Sequence, residues 1–190
     1  MTGLREETKP RTRRAFNAET LSVTDPIALE MLRTRLESIA EDAAITIERT
    51  GVSPTATETH DLSATLLDAE GHLIAGGGFV AYHWVAATNA VRAAIARYGD
   101  TIAPGDVFFA NDPYTGGGLH PNDVFVERPI FVGDRLVAWV ALSAHLADMG
   151  GMARGSFAPA ATECYQEAFR APPVRLFRAG VEVTDVWDLI

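Results

Sequence analysis

The run Asn111-Asp112-Pro113-Tyr114-Thr115-Gly116-Gly117-Gly118-Leu119-His120-Pro121-Asn122-Asp123 and the later Ala144-His145-Leu146-Ala147-Asp148-Met149-Gly150-Gly151 carry two of the chain's five histidines and three aspartates beside two glycine-rich turns. His120 and Asp123 are three apart, so a turn or strand end can aim both at one point. Adding His145 gives a two-histidine, one-carboxylate set that suits zinc, manganese or iron and leaves coordination positions open for water or substrate. Asp148 would then be a fourth ligand, or the carboxylate that holds the His145 tautomer. The competing reading is purely structural: His120 caps a loop, Asp123 opens a strand and His145 makes a buried hydrogen bond.

Other chemistry is harder to read into the chain. Gly116-Gly117-Gly118 and Gly150-Gly151 permit close approach of main-chain amides to a ligand, but neither GxxxxGK[ST] nor a strand-linked GxGxxG occurs, so nothing points to a nucleotide site within this chain. No serine sits in a GxSxG elbow. Asn111-Asp112-Pro113-Tyr114 reads as a turn. His83, between aromatics in Ala81-Tyr82-His83-Trp84, reads as a packed histidine just ahead of a helix, a place that would keep its neutral form available for acid-base work. His60-Asp61 is a poorer candidate. Cys164 lies between Glu163 and Glu167, whose charge disfavours a thiolate.

Composition narrows the partners. A formal net charge of −9 argues against a nucleic-acid partner, which draws on clustered Lys and Arg. The basic cluster Lys9, Arg11, Arg13 and Arg14 falls in a segment without apolar periodicity, and residues 1–23 are expected to be a disordered arm. The first thirty positions hold no secretory signal. The longest apolar stretch, Leu136 to Leu142, is far short of the ~18 residues of a spanning helix. One cysteine fits a reducing compartment. A cytoplasmic protein with no membrane partner is expected.

The elements that must position these residues follow from periodicity. Thr24 or Asp25 caps a helix with Pro26 in its first turn, and Leu29, Leu32, Leu36, Ile39, Ala43 and Ile47 form one apolar face of an amphipathic helix over about 26 to 50, read as core-facing. Segments 63–68 and 72–75 flank a turn and read as a β-hairpin, with Gly76-Gly77-Gly78 after it. A second helix is expected over 85–98, a strand over 107–110, a short helix over 163–169 and a strand over 174–177. Strands 124–131 and 136–144, joined by 132–135, form a hairpin whose outer ends carry the two His/Asp clusters, so antiparallel pairing predicts that His120, Asp123 and His145 converge. The fold class is α+β, a mixed or antiparallel sheet with a long N-terminal amphipathic helix. Residues 185–190 read as the opening of a further helix, which suggests an incomplete domain whose isolated chain is marginally folded or oligomeric.

On these residues the chain resembles the N-terminal part of the hydantoinase B/oxoprolinase family, which includes N-methylhydantoinase B subunits, the C-terminal half of 5-oxoprolinases and the large subunits of acetone and acetophenone carboxylases. The similarity runs from Asp25-Pro26 and Leu29-Glu30 through Glu48-Arg49-Thr50, Ser53-Pro54 and Asp61-Leu62-Ser63 to Asp112-Pro113-Tyr114 and Gly116-Gly117. It continues through His120, Asp123, Ala144-His145, Ala147-Asp148, Gly150-Gly151, Gly155-Ser156, Thr162-Glu163, Gln166-Glu167 and Pro172-Pro173-Val174, so that residues 24–190 correspond to the N-terminal part of the family domain. Two departures stand out. Gly118-Leu119 shifts His120 by one position while keeping His-x-x-Asp, and His145-Leu146 replaces a paired histidine.

The resemblance implies a metal on His120, Asp123 and His145, which is manganese in the carboxylase branch, while the residue types admit manganese or zinc. It implies a separate A-type subunit or domain that binds ATP and phosphorylates the substrate, which agrees with the missing nucleotide motif. The activity implied is ATP-dependent opening of hydantoin or oxoproline-like rings, with Asp148, Glu163, Glu167 and His83 as the candidate acid-base groups. Two alternatives stand beside it: a ketone carboxylase subunit, and a truncated, non-catalytic assembly fragment.

Overall fold

A computed structural model describes residues 25–153 and 158–190. The arm expected over 1–23, the alternative cap Thr24 and the pair Gly155-Ser156 lie outside the described residues. The element order is α1 (Pro26–Thr50), α2 (Pro54–Thr57), β1 (Leu62–Asp68), β2 (Leu73–Gly78), α3 (Ala81–Tyr98), β3 (Val107–Ala110), β4 (Asp123–Val132), β5 (Arg135–His145), β6 (Val174–Arg178), β7 (Val181–Glu182) and α4 (Thr184–Trp187). The strands form one sheet in the order β2-β1-β5-β4-β3-β6-β7. Every pairing is antiparallel.

The helix bounds of α1 follow its punctuation. Asp25 Oδ1 accepts the amide of Ile27 at 2.9 Å, Pro26 occupies the first turn where no amide is needed, and Gly51 ends the helix. The face it buries is narrower than the apolar stripe predicts. Ala40 and Ala44 are buried, with Leu36, Ala43 and Ile47 packed beside them. Leu29, Leu32 and Ile39 remain about half exposed. Small residues let the C-terminal half of α1 lie closely against β1 and β2, while the large apolar residues of its first turns stay exposed.

Gly77 marks the crossing. A β-carbon there would stand 2.4 Å from the backbone of Ala40 and Glu41, and Glu41 Oε2 accepts the amide of Gly78 at 2.9 Å. Gly76-Gly77-Gly78 is thus part of β2 rather than a loop after it. On the opposite face of the sheet, α3 lays Ala86, Ala87, Ala90, Val91 and Ala94 over Leu67, Phe108, Phe125, Trp139 and Ala141. This helix begins at Ala81, so His83 and Trp84 belong to its first turn. Residues 163–169 form only a 3-10 turn, Cys164–Gln166, and the final helix is four residues long.

Two predictions arise from this packing. Gly77→Ala should destabilise the chain by about 1–3 kcal/mol through overpacking against backbone that cannot yield, measured as a lower urea midpoint. The second concerns Glu127, a fully buried carboxyl in β4. Burial pushes its pKa from 4.5 up to about 8. Between those values the unfolded chain ionises at this position while the folded chain does not, so stability falls as pH rises, by roughly 1.4 kcal/mol per pH unit. Above about 8 the contribution levels off. Urea unfolding of Glu127→Gln across that window should show a shallower fall with pH than the wild type; parallel curves would contradict the assignment.

Candidate metal centre

The β4/β5 hairpin fixes the two ends that matter. Its register pairs Asp123 with His145, and Val132 with Arg135 across the turn. His120 reaches the same point from the loop before β4, where the amide of Asp123 donates to the carbonyl of His120 at 3.1 Å. Gly118 lies so close to Asp123 that a β-carbon would stand 2.7 Å from the aspartate's own, which lets the loop fold back over the strand end. Asn111 secures that loop at the end of β3. Its Nδ2 donates to the carbonyls of Pro121 and Phe169, both at 2.7 Å, and its Oδ1 accepts the amide of Ala171 at 2.6 Å.

The backbone of His145 is held by a second set of bonds. Its amide donates to the carbonyl of Asp61 at 3.0 Å, and its carbonyl accepts the hydroxyls of Thr55 at 2.6 Å and Ser53 at 3.2 Å. One residue on, Leu146 exchanges bonds with Asn122 through amide and side chain. The short helix α2 is therefore a clamp on the strand end. His60, immediately before Asp61, adopts a left-handed backbone with φ of 59°, a conformation that histidine tolerates better than most residues.

Within this frame one ligand atom from each of His120, Asp123 and His145 lies within 4.8 Å of the others, and the same holds for Asp61, His83 and Asp123. Asp123 is common to both groups and has no exposed surface. Three ring nitrogens surround its Oδ1: His120 Nε2 at 3.1 Å, His145 Nδ1 at 3.4 Å and His83 Nε2 at 3.9 Å. None is aligned as a hydrogen bond, so Oδ1 is a buried oxygen without a hydrogen-bond partner among the described residues. Its other oxygen accepts the Tyr82 hydroxyl in a short hydrogen bond, and Tyr82 is itself 3.1 Å from His83 Nε2. Asp61 completes the group, 3.8 Å from His145 Nδ1 and 3.7 Å from His83 Nε2.

The electrostatics follow the same geometry. Burial alone would raise the pKa of Asp123, but the imidazoles of His120, His145 and His83 and the Tyr82 hydroxyl outweigh it and hold the carboxyl well below the usual range. Burial, and then the Asp123 carboxylate, pushes the Tyr82 phenol up. The carboxylate beside His120 raises that imidazole, burial opposes the shift, and Asp61 and Glu167 add to the rise. The structure thus supplies a buried anion, nitrogen donors converging on it and a hydroxyl that orients it. Such a donor set fits a divalent cation of the borderline class, which prefers imidazole and carboxylate together.

Among the candidate acid-base residues, His83 is fully buried at the edge of the site, so the packed reading and proximity to Asp123 hold together. Glu167 acts on His120 through space and lies in the segment 166–169, which bonds to 149–152 through Met152 to Gln166 and Phe169 to Met149. Asp148 lies outside both ligand groups, and its Oδ1 accepts the amide of Gly150 at 3.1 Å. Glu163 is exposed at the start of the 3-10 turn. Asp112 closes its own turn through the amide of Tyr114 and the hydroxyl of Thr115.

Tyr82 is a member that the sequence does not bring forward, and Asp61 one that it ranks low. Asp61 enters because Leu62 pairs with Ala144, a contact between segments some eighty residues apart. Tyr82 enters because α3 starts one turn earlier than its periodicity suggests.

A family model described as hydantoinase B/oxoprolinase matches residues 25–190. The chain belongs to this family. It is 34% identical over 170 residues to the caprolactamase subunit beta of Pseudomonas jessenii, covering 90% of this chain and 29% of that protein. It is 31% identical over 175 residues to 5-oxoprolinase 1 of Arabidopsis thaliana, covering 92% of this chain and 14% of that protein. The crystal structure of the ATP-dependent caprolactamase from Pseudomonas jessenii superposes with a TM-score of 0.76 at 32% identity, over 87% of this chain and 28% of that one. A nucleotide-free acetone carboxylase structure shares the fold, with a TM-score of 0.75 at 22% identity over 87% of this chain and 22% of that one. The chain thus spans less than a third of the length of these relatives.

One consequence is measurable in the metal-free chain. Asp123→Asn removes the strongest of the anions that raise His120 and leaves Asp61 and Glu167 to oppose burial, so the His120 pKa should fall. An NMR titration of the His120 ring reads this directly, and an unchanged value would remove Asp123 as the controlling neighbour.

Proposed function

We propose that this chain carries the metal centre of an ATP-dependent cyclic amidase, a cytoplasmic complex that opens lactam-type rings such as hydantoins or 5-oxoproline. The observation that carries this reading is the convergence of His120, Asp123 and His145 around a buried carboxylate oxygen. The relatives support the reaction class, since one is named a caprolactamase and another a 5-oxoprolinase. ATP would be bound and consumed by an A-type partner subunit or domain.

His120, Asp123 and His145 would hold manganese or zinc. When bound, such an ion supplies Lewis acidity toward a carbonyl or phosphoryl oxygen, or lowers the pKa of a water toward neutrality. The protein's own residues do the rest. Tyr82 holds one oxygen of Asp123 and leaves the other facing the imidazoles. Asp61 and His83 face the same space as these ligands and form with Asp123 a second group that could share in holding the ion. Glu167, beside His120, is the acid-base group best placed to move a proton at the reacting amide. His83 is sealed from solvent and better suited to orientation than to exchange. Asp148 would shape the turn at Gly150.

Two outcomes are expected. Equilibrium dialysis with Mn2+ and Zn2+ should show binding to the wild type that weakens by at least about 100-fold in the His120→Ala, His145→Ala double variant, since even partners behind a ligand are worth 10–100-fold. Equal binding would remove the metal reading. In a reconstituted complex with its A-type partner, ATP consumption should depend on a cyclic amide. Dependence on bicarbonate and a ketone would overturn the hydrolase assignment in favour of a carboxylase.

A further inference from the structure

Four buried polar side chains surround Ala141 on the α3 face of the sheet. Ala141 pairs with Glu127 on one side and Thr65 on the other, while Trp139 and Ser143 are its same-face neighbours along β5. All five residues have no exposed surface. Among the described residues no hydrogen-bond partner is found for either carboxyl oxygen of Glu127, for Thr65 Oγ1, for Trp139 Nε1 or for Ser143 Oγ.

Paired positions in an antiparallel sheet start about 5 Å apart and diagonal ones about 7–8 Å. A methyl group at the centre of the square therefore leaves room between the polar atoms around it. The cover is equally small, because α3 presents Ala86, Ala87, Ala90 and Ala94 to this face. An apolar void of this kind would stay dry, whereas one lined by several donors and acceptors takes up water, each molecule needing about two to four polar partners.

We infer that Glu127, Thr65, Trp139 and Ser143 form a buried binding pocket for a small cluster of ordered water, with Glu127 as the group that both donates to it and accepts from it. Trp139 Nε1 can only donate, and the two hydroxyls do both. A neutral carboxyl completes such a network where a carboxylate would be left without a counter-charge. Burial pushes Glu127 up to about 8, so at neutral pH it keeps its proton. Trp139 Nε1, a buried donor on the same face of the sheet, disfavours a metal cation there. The pocket lies two same-face positions behind Asp123 on β4 and behind His145 on β5, and so holds a proton and water beneath the candidate centre. It is independent of whether that centre takes a metal.

The charged and titratable groups facing this layer are His83 and Tyr98 at the two ends of α3, Asp123 and His145 at the near strand ends, and Arg175 on β6. Arg175 stands opposite Phe108 and pairs with Asp106 at 3.1 Å. The cation is thus already neutralised and separated from Glu127 by the Phe108 ring.

A crystal structure of the full chain, together with infrared spectra recorded well below and well above pH 8, tests the pocket. Expected are water density within hydrogen-bond distance of Glu127 and Trp139 Nε1, and a protonated-carboxyl stretch at neutral pH that fades through about pH 8. Glu127→Gln should lose that band and keep the water, while Glu127→Leu should lose both. A direct Glu127 to Trp139 hydrogen bond without water, a sodium or potassium ion in the pocket, or an ionised Glu127 at neutral pH would each overturn the inference. Because the Gln variant preserves size and hydrogen bonding, a folding failure confined to Leu leaves the test intact.

Discussion

A carboxylate with no exposed surface is the constraint around which this end of the molecule is built. Isolated in a protein interior, the charge of Asp123 would cost several kcal/mol, more than most single contacts return. Its neighbours answer that cost with His120, His145 and His83 on one oxygen and the Tyr82 hydroxyl on the other. Those neighbours come from three separate segments: the loop before β4, the end of β5 and the first turn of α3. Removing any one segment leaves the anion short of compensation, so the site and the closure of the sheet are one problem.

The clamps around the site follow from the same need. Imidazoles that must share one oxygen require backbones placed to within tenths of an ångström, and long side chains on free loops do not provide that. Thr55 and Ser53 on the carbonyl of His145, and Asn111 on Pro121, Phe169 and Ala171, supply the rigidity without contributing chemistry. Within the motifs that carry the family resemblance, Ser53 and Asn111 thus have a positioning role.

Much of this was legible in the chain itself, for identifiable reasons. The bounds of α1 were set by Asp25, Pro26 and Gly51, which act locally. The β4/β5 hairpin was readable because its turn is short and its strands alternate, and the convergence of His120, Asp123 and His145 came with it. What escaped was decided by distant contacts. The pairing of β1 with β5 brings in Asp61, and no local pattern announces it. The stripe of α1 predicted a core face starting at Leu29, yet the buried face is made by Ala40 and Ala44, because a close helix-to-sheet approach selects small residues over large ones. Glu127 sits in a strand whose pattern gave no reason to separate it from the solvated charges; only the packing of α3 seals it.

The central claim is that the buried Asp123 is a ligand and not merely a compensated structural charge. Crystals of the chain grown with Mn2+ and measured with anomalous scattering at the manganese edge decide between these. The account predicts an anomalous peak at ligand distance, about 2.0–2.3 Å, from His120 Nε2, Asp123 Oδ1 and His145 Nδ1, with the Tyr82 hydroxyl still on the other oxygen of Asp123. Full-occupancy manganese elsewhere with none at this point, or an unaltered His120–Asp123–His145 cluster at saturating Mn2+, would contradict it.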